Sequence, residues 1–338
     1  MGSMIILPPK VVTDTVARAF EQSRTAPDTA RLVADALVRA EIDGRRGHGL
    51  SRVASYTAQS RSGKVDGHAA PHWEQSAPAV GRIDARSGFA YSAFDLAYAH
   101  MPRLAREVGT ATCLISRSHH FGVAAHQVER YADAGLVALL FGNTPGAMAA
   151  WGGKKPTLGT NPIAFAAPRS NADPVIVDLA LSSVARGNIL KAADAGEPIP
   201  VGWASDVQGA PTTDAQAALR GTLSPIGGVK GASLALMVEI LVVALTGANF
   251  AFEASSFFDG DGPPPHVGQV LIVIDPAAAS GASTFAERME TLAGWIADDG
   301  ARLPGSLTRA RRQAAEREGL AVDEALYARI EAIADGSV

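Results

Sequence analysis

Ser118-His119-His120-Phe121-Gly122 is followed along the chain by Trp151-Gly152-Gly153 and Leu158-Gly159-Thr160-Asn161-Pro162. Two imidazoles, clustered glycines and a Thr-Asn-Pro turn are more chemistry than a core requires. Polar side chains beside glycines let a ligand approach the backbone closely, as a binding site does. A second concentration is Asp43-Gly44-Arg45-Arg46-Gly47-His48-Gly49-Leu50-Ser51-Arg52. Glycines on both sides expose the His48 imidazole, and Arg52 can reach an anion beside it. A histidine titrates near neutral pH, so His48 can deliver a proton when hydride arrives at a neighbouring carbon. The same residues also read as a helix C-cap followed by a solvated basic turn.

His119-His120 ends an apolar run, Ala111–Ser116, and precedes a helix expected from about Gly122. The N–H groups of Phe121 to Ala125 would then face outward at the positive end of that helix, ready for a phosphate. A metal held by His119, His120 and His126 competes with this. Adjacent histidines chelate one ion poorly, and neither a cysteine nor a Glu-x-x-His pair accompanies them, so no metal is expected. Lys230, in Gly227-Gly228-Val229-Lys230-Gly231, adds charge where a helix starts; it marks an anion site or a plain helix-start turn. The Gly-Lys-Ser/Thr order of a P-loop is absent. Asp178 ends a strand and either caps the segment at Ser182 and Ser183 or binds a ribose hydroxyl. Arg309, Arg311 and Arg312 form a compact cationic group, either a solvated helix face or a clamp for the extra phosphate of NADP.

The elements that must position these groups interleave. Helical spacing runs from Pro27 to Gly44, and another helix begins near Ser51. A strand at 79–84, a helix at 89–108 with Pro102 as a place to bend, and the strand Ala111–Ser116 follow. A helix at 123–134, strands at 136–141, 163–167 and 175–178, and a helix at 184–193 come next. Residues 196–226 are rich in Gly, Pro, Thr and Asp and read as a surface excursion too polar for a core element. The segment 232–245, apolar on nearly every face, is expected to run through the interior. A loop at 260–265, a strand at 269–274 and a helix at 285–296 precede an amphipathic helical tail, 308–334, expected to pack on the N-terminal helices. The class is α/β. Residues 4–75 with 308–338 are expected to form one helical domain, and 76–307 an α/β domain with 196–226 inserted.

The chain has 338 residues, 47% of them hydrophobic, with a formal net charge of −4. No field exists to collect nucleic acid or a membrane surface. The single cysteine, Cys113, reads as a buried strand residue and excludes an internal disulfide, which fits a reducing compartment. Ile5–Leu7 is too short for a secretory signal, and Glu239 interrupts the longest apolar run. Met1-Gly2-Ser3 reads as a cloning scar before a natural start at Met4. A cytoplasmic protein is expected. No Gly-x-Gly-x-x-Gly follows any expected strand, so a Rossmann dinucleotide site has no support.

Taken together and in order, these segments resemble the malate/L-lactate dehydrogenase family that lacks a Rossmann fold. The resemblance rests on the His-Gly turn with its downstream arginine, Ser-His-His-Phe-Gly, Trp-Gly-Gly and Leu-Gly-Thr-Asn-Pro-Ile-Ala-Phe. Val177-Asp178-Leu179-Ala180, Gly-Gly-x-Lys-Gly, Leu245-Thr246-Gly247 and Leu303-Pro304-Gly305 extend it over nearly the whole chain. The segment from Leu245 to Glu253 is most similar to the branch of Δ1-piperidine-2-carboxylate and Δ1-pyrroline-2-carboxylate reductases. The resemblance implies a homodimer with NADP(H), or alternatively NAD(H), lying across a largely antiparallel mixed sheet, beside a helical domain built from both termini. By position it makes His48 the proton donor and has Arg52 hold the cofactor or the substrate carboxylate. His120, Phe121, Gly122, Val123, Ala124, Ala125, Thr160, Asp178, Leu179, Ala180, Val229 and Lys230 would line the cofactor. The segment from Ser306 to Arg312, with Arg309 and Arg311, would close over its adenosine phosphate end.

Two departures stand out. The ketimine reductases carry serine directly before the histidine and an aspartate further on, as a relay. Gly47 and Asn188 occupy those positions here, and neither can stabilise an imidazolium as a carboxylate does. Ser306-Leu307-Thr308 also departs from an acidic-basic-basic run. The expected activity is NADPH-dependent reduction of a cyclic 2-imino acid. A 2-hydroxy acid dehydrogenase of the malate, lactate or ureidoglycolate type is the enzyme alternative. A degenerate NADP-binding protein with little catalysis is the alternative of another class.

Overall fold

Val267–Ile274 carries apolar residues on both faces of an extended chain, which only a strand covered on both sides can satisfy. In a computed structural model that describes residues 3–170 and 172–337, it is the middle strand of a seven-stranded sheet. Met1 and Gly2, at the start of the expected scar, lie outside the described residues. In chain order the strands are β1 (Met4–Leu7), β2 (His72–Ala77), β3 (Val80–Asp84), β4 (Thr110–Ser118), β5 (Val137–Gly142), β6 (Ile163–Ala167), β7 (Val175–Leu179), β8 (Ala204–Ser205), β9 (Pro211–Thr212), β10 (Thr222–Leu223), β11 (Val267–Ile274) and β12 (Leu320–Asp323). The helices are α1 (Pro9–Glu21), α2 (Pro27–Ile42), α3 (Val53–Ser62), α4 (Ala90–Val108), α5 (Ala124–Asp133), α6 (Arg186–Ala195), α7 (Ala215–Arg220), α8 (Val229–Glu239), α9 (Ala282–Asp298), α10 (Thr308–Glu318) and α11 (Glu324–Ala334).

The large sheet has the order β2-β3-β4-β11-β5-β6-β7. β3 and β4, joined through α4, pair in parallel; every other pairing in it is antiparallel. This is the α/β class with the mixed, largely antiparallel sheet expected. Alternation sends Cys113, Ile115, Leu271 and Val273 into one core with α4 and α5, while Leu114, Val270 and Ile272 pack on the other side against α8. A third cluster joins both ends of the chain: α1, α2, α3 and α11 meet around Phe20, Leu37, Tyr56 and Ile330.

Three expectations need correction. Residues 196–226 are not merely a polar excursion. They form α7 and the small sheet β10-β8-β9, and Ile199, Ala204, Ala218 and Leu223 are buried against residues of α8 and β5. Their apolar residues are too scattered for periodicity but converge in space. The apolar segment from 232, α8 with a π-helical turn at Ile240–Ala244, does not run wholly through the interior. Ala232, Ala235, Val238 and Val242 face the core, while Leu236, Met237 and Ile240 stay 49%, 45% and 56% exposed. One chain has only one side with which to cover that helix. The tail is not a single helix either. Gly319, at φ 86°, ends α10, and β12 then pairs with β1 before α11 begins.

Candidate active site and cofactor cavity

His48 sits between α2 and α3 in a pair of tight 3-10 turns, Arg46–His48 and Leu50–Arg52. Glu41 holds this turn, its Oε2 accepting the Leu50 N–H at 3.0 Å. A Cβ at Gly49 would lie 2.3 Å from that oxygen and 3.1 Å from the Glu41 backbone N, so a side chain there would push the carboxylate off Leu50. Arg52 donates from Nε to the Gly47 carbonyl at 2.7 Å, and its guanidinium lies 4.4 Å over the Phe258 ring. Arg52 Nη1 and His48 Nδ1 are both buried without a hydrogen-bond partner among the described residues.

The end of β4 brings His119 and His120 to the same place. The His48 and His120 rings stack 5.2 Å apart and 7° from parallel. Tyr56 from α3 hydrogen-bonds His120 Nδ1, and Gln59 Oε1 meets His119 Nε2 at 2.9 Å. Phe257 packs on both rings, with its centroid 5.3 Å from His119 and 5.1 Å from His120. Gln59 also donates to the Phe257 carbonyl at 2.9 Å, and the buried Lys64 ammonium donates to the Asp259 carbonyl at 3.1 Å. The segment 257–259 is thereby pinned to α3 as one wall of the site.

Burial first, then Arg52 and Arg45, lowers the His48 pKa to about 4. Burial and then Lys64 lower His119 to about 3, and burial with Arg52 holds His120 well below its ordinary value. Burial pushes the Tyr56 phenol up to about 12. At neutral pH the site therefore offers neutral imidazoles beside an unpaired guanidinium N–H. That combination takes an anion, and a neutral His48 takes a proton.

A cavity of about 420 Å³ lies beyond this turn. Val123, Ala125, Asp178, Ser306, Arg311 and Arg312, all expected at the cofactor, line it, as do Arg45, His126 and Arg302. Asp178 Oδ2 accepts the Ala125 N–H at 3.0 Å, so the aspartate caps α5 from β7 and occupies one of the N–H groups expected for phosphate. Its expected partners were Ser182 and Ser183; the sheet brings it to a different helix. Burial raises its pKa.

The arginines of the tail divide. Arg312 meets Asp43 at 2.9 and 2.6 Å and Glu129 at 2.8 and 3.0 Å, which uses both edges of its fork. Arg309 pairs with Asp133 at 2.6 Å and Asp173 at 3.1 Å, outside the cavity lining. Arg311 donates to the Asp43 carbonyl at 2.9 Å and does line the cavity. Carboxylates thus hold two of the three expected clamp residues, and a backbone carbonyl holds the third.

Other expected residues stand apart from the cavity. Phe121 and Ala124 are buried in the α4–α5 core, and Gly122, at φ 70°, lies where a Cβ would come 2.7 Å from the Tyr91 hydroxyl. Thr160 donates its N–H to Thr144 Oγ1 at 2.9 Å. Leu179, Val229 and Lys230 are exposed, and Ala180 is half-buried. Asn188 is exposed on α6, with no hydrogen bond to His48 among the described residues. Gly47 is exposed, and among the described residues nothing lies within 4 Å of where its Cβ would be, so the relay position before His48 is open. The sequence reading missed Arg45, Arg302, Tyr56 and Gln59 as contributors. Arg45 stands in the His48 run and Arg302 directly precedes Leu303-Pro304-Gly305, but neither position shows which arginines are free.

The sequence profile of malate/L-lactate dehydrogenases matches residues 7–331. A (2R)-3-sulfolactate dehydrogenase (NADP(+)) of Chromohalobacter salexigens is 49% identical over 87% of this chain and 89% of that relative. A Δ1-pyrroline-2-carboxylate/Δ1-piperideine-2-carboxylate reductase of Pseudomonas aeruginosa is 40% identical over 94% of this chain and 95% of its own. The crystal structure of Δ1-piperideine-2-carboxylate reductase from Pseudomonas syringae superposes with a TM-score of 0.92 at 37% identity, covering 97% of this chain and 99% of that one. With its mixed sheet, its paired histidines and these relatives, the chain belongs to the malate/L-lactate dehydrogenase family of dehydrogenases and reductases.

Proposed function

We propose that this enzyme moves a hydride between NADP(H) and C2 of a small 2-oxo/2-hydroxy acid carrying a second anionic group, as 3-sulfolactate does. The carrying observation is the charge around His48. Arg52 and Arg45 act on it electrostatically, while the relay positions hold an open Gly47 and an exposed, neutral Asn188. A cyclic ketimine accepts hydride best as an iminium cation, which these guanidiniums disfavour. A dianionic acid suits them.

The buried Arg52 Nη1 has no partner among the described residues and fits a substrate carboxylate. Such an ion pair offsets the charge that depresses His48, so the bound acid raises the basicity of the imidazole that serves it. In the oxidative direction neutral His48 takes the hydroxyl proton as the C2 hydride leaves. In reduction the imidazolium returns that proton to the carbonyl oxygen. His120, stacked on His48 and held by Tyr56, fixes the ring that does this work. The cavity suits a phosphorylated dinucleotide because Arg45, Arg302 and Arg311 line it. When bound, that cofactor supplies or accepts the hydride. The reading includes a homodimer, since Leu236, Met237 and Ile240 form an uncovered apolar face that a second copy would bury.

Reduction of Δ1-pyrroline- and Δ1-piperidine-2-carboxylate is the second reading. The named reductases among the relatives and the Leu245–Glu253 segment favour it. A panel of 3-sulfolactate, malate, lactate and ureidoglycolate with NADP⁺, against the two cyclic imino acids with NADPH, separates the readings. The highest kcat/KM is expected on a dianionic hydroxy acid. A preference for the imino acids overturns this in favour of the second reading. Tight NADPH binding without turnover on any of them points to the degenerate binding protein.

A further inference from the structure

We infer that Arg45 and Arg302 recognise the extra phosphate of NADP(H), and that Arg309 and Arg312 do not; the inference rests on the cofactor reading above. The argument is an accounting of which cations in and around the cavity are already neutralised. Arg312 faces two buried carboxylates, Asp43 at 6% and Glu129 at 3% side-chain exposure, with four hydrogen bonds. Turning it towards a ligand would leave both carboxylates buried without that partner, which is strongly unfavourable. Arg309 does not line the cavity and already bridges Asp133 and Asp173.

Arg311 lines the cavity without an ion pair among the described residues, but one edge of its guanidinium is tied to the Asp43 carbonyl at 2.9 Å. Arg45 and Arg302 differ from all three. Each lines the cavity, and among the described residues neither side chain makes a hydrogen bond or an ion pair. They come from separate segments, one from the turn after α2 and one from the loop after α9. That loop is anchored: Ile176 N–H donates to the Pro304 carbonyl at 3.2 Å, and Gly305, at φ 90°, packs on Ile176. A doubly charged phosphate gains most from guanidiniums whose charge is not yet spent. Asp178, the remaining carboxylate of the wall, accepts the Ala125 N–H and interacts with the Arg45 charge through space, without a hydrogen bond or ion pair to it among the described residues.

Isothermal titration calorimetry of the full chain with NADP⁺ and with NAD⁺ tests this without relying on turnover. The variants are Arg45→Ala, Arg302→Ala, the double variant and Arg309→Ala, each checked by thermal melting. Wild-type protein should prefer NADP⁺. Each single Arg45 or Arg302 variant should weaken NADP⁺ by about tenfold and the double variant by about a hundredfold, the scale of losing charge-assisted phosphate contacts. NAD⁺ affinity should stay within about twofold, as should both affinities in Arg309→Ala. Equal weakening of both dinucleotides would place the two arginines elsewhere on the cofactor and overturn the inference. So would loss of NADP⁺ affinity in Arg309→Ala alone. Wild-type protein that binds NAD⁺ as tightly as NADP⁺ overturns the cofactor reading itself, and the inference falls with it.

Discussion

The His48 and His120 imidazoles lie face to face, 5.2 Å between centroids, although one belongs to a turn after α2 and the other to the end of β4. Two imidazoliums could not share this geometry beside Arg52, so the pair carries at most one proton at working pH. His48→Ala is expected to lower kcat by about 10²–10⁴-fold, the range for loss of a general acid–base group. NADPH should still quench tryptophan fluorescence in the variant. Full turnover in His48→Ala would remove His48 from the chemistry.

The position before His48 offers a paired test. Among the described residues nothing lies within 4 Å of where a Gly47 Cβ would stand, and its φ is not positive, so Gly47→Ser should fold with wild-type stability. Placing a hydroxyl beside His48 should raise activity on cyclic imino acids several-fold relative to hydroxy acids. Gly49→Ser, where the Cβ meets Glu41 Oε2 at 2.3 Å and its backbone N at 3.1 Å, should cost about 1–3 kcal/mol in urea unfolding. Equal stability of the two variants would contradict the close packing at Glu41.

The buried histidines set a pH dependence of stability. His119 is held to about 3 in the folded chain, below the ordinary histidine value of about 6.5 in an unfolded one. The unfolded state therefore binds the proton first as pH falls. Stability from this group is complete above pH ~6.5 and declines as pH drops towards ~3, by at most about 1.4 kcal/mol per unit. Urea midpoints between pH 7.5 and 4.5 should fall, and His119→Gln should flatten the slope. An unchanged slope in that variant would show that other groups govern the acid limb.

Removing one partner from the Arg312 network should be costly. Arg312→Ala leaves Asp43 and Glu129 buried without that partner, an expected loss of about 3–5 kcal/mol. Arg309→Ala breaks pairs whose side chains are 44–48% exposed on the Asp133 side, worth about 0–1 kcal/mol. Chemical denaturation of both variants reads this difference directly. Similar losses would mean that burial does not distinguish the two arginines.

Local patterning carried the framework. Alternating and continuous apolar runs were sufficient to place β4, β5, β6, β7 and β11, because a strand's environment is written into its period. The short edge strands β1 and β2 left no such pattern. The glycine-flanked His48 turn was legible because glycine is demanded by contact, as Gly49 against Glu41 shows.

By itself, then, the sequence determined the α/β class, the family motifs and which residue types could meet a dinucleotide and a small acid. Only the tertiary structure decided which of them are free to do so. It spent Arg312 on Asp43 and Glu129, turned Asp178 into the cap of α5, and left Arg45 and Arg302 in the cavity without ion pairs among the described residues. The physical reason is that charge and hydrogen-bonding capacity are fixed by residue type, whereas the partner that consumes them arrives from distant sequence through the packing of the sheet and both termini.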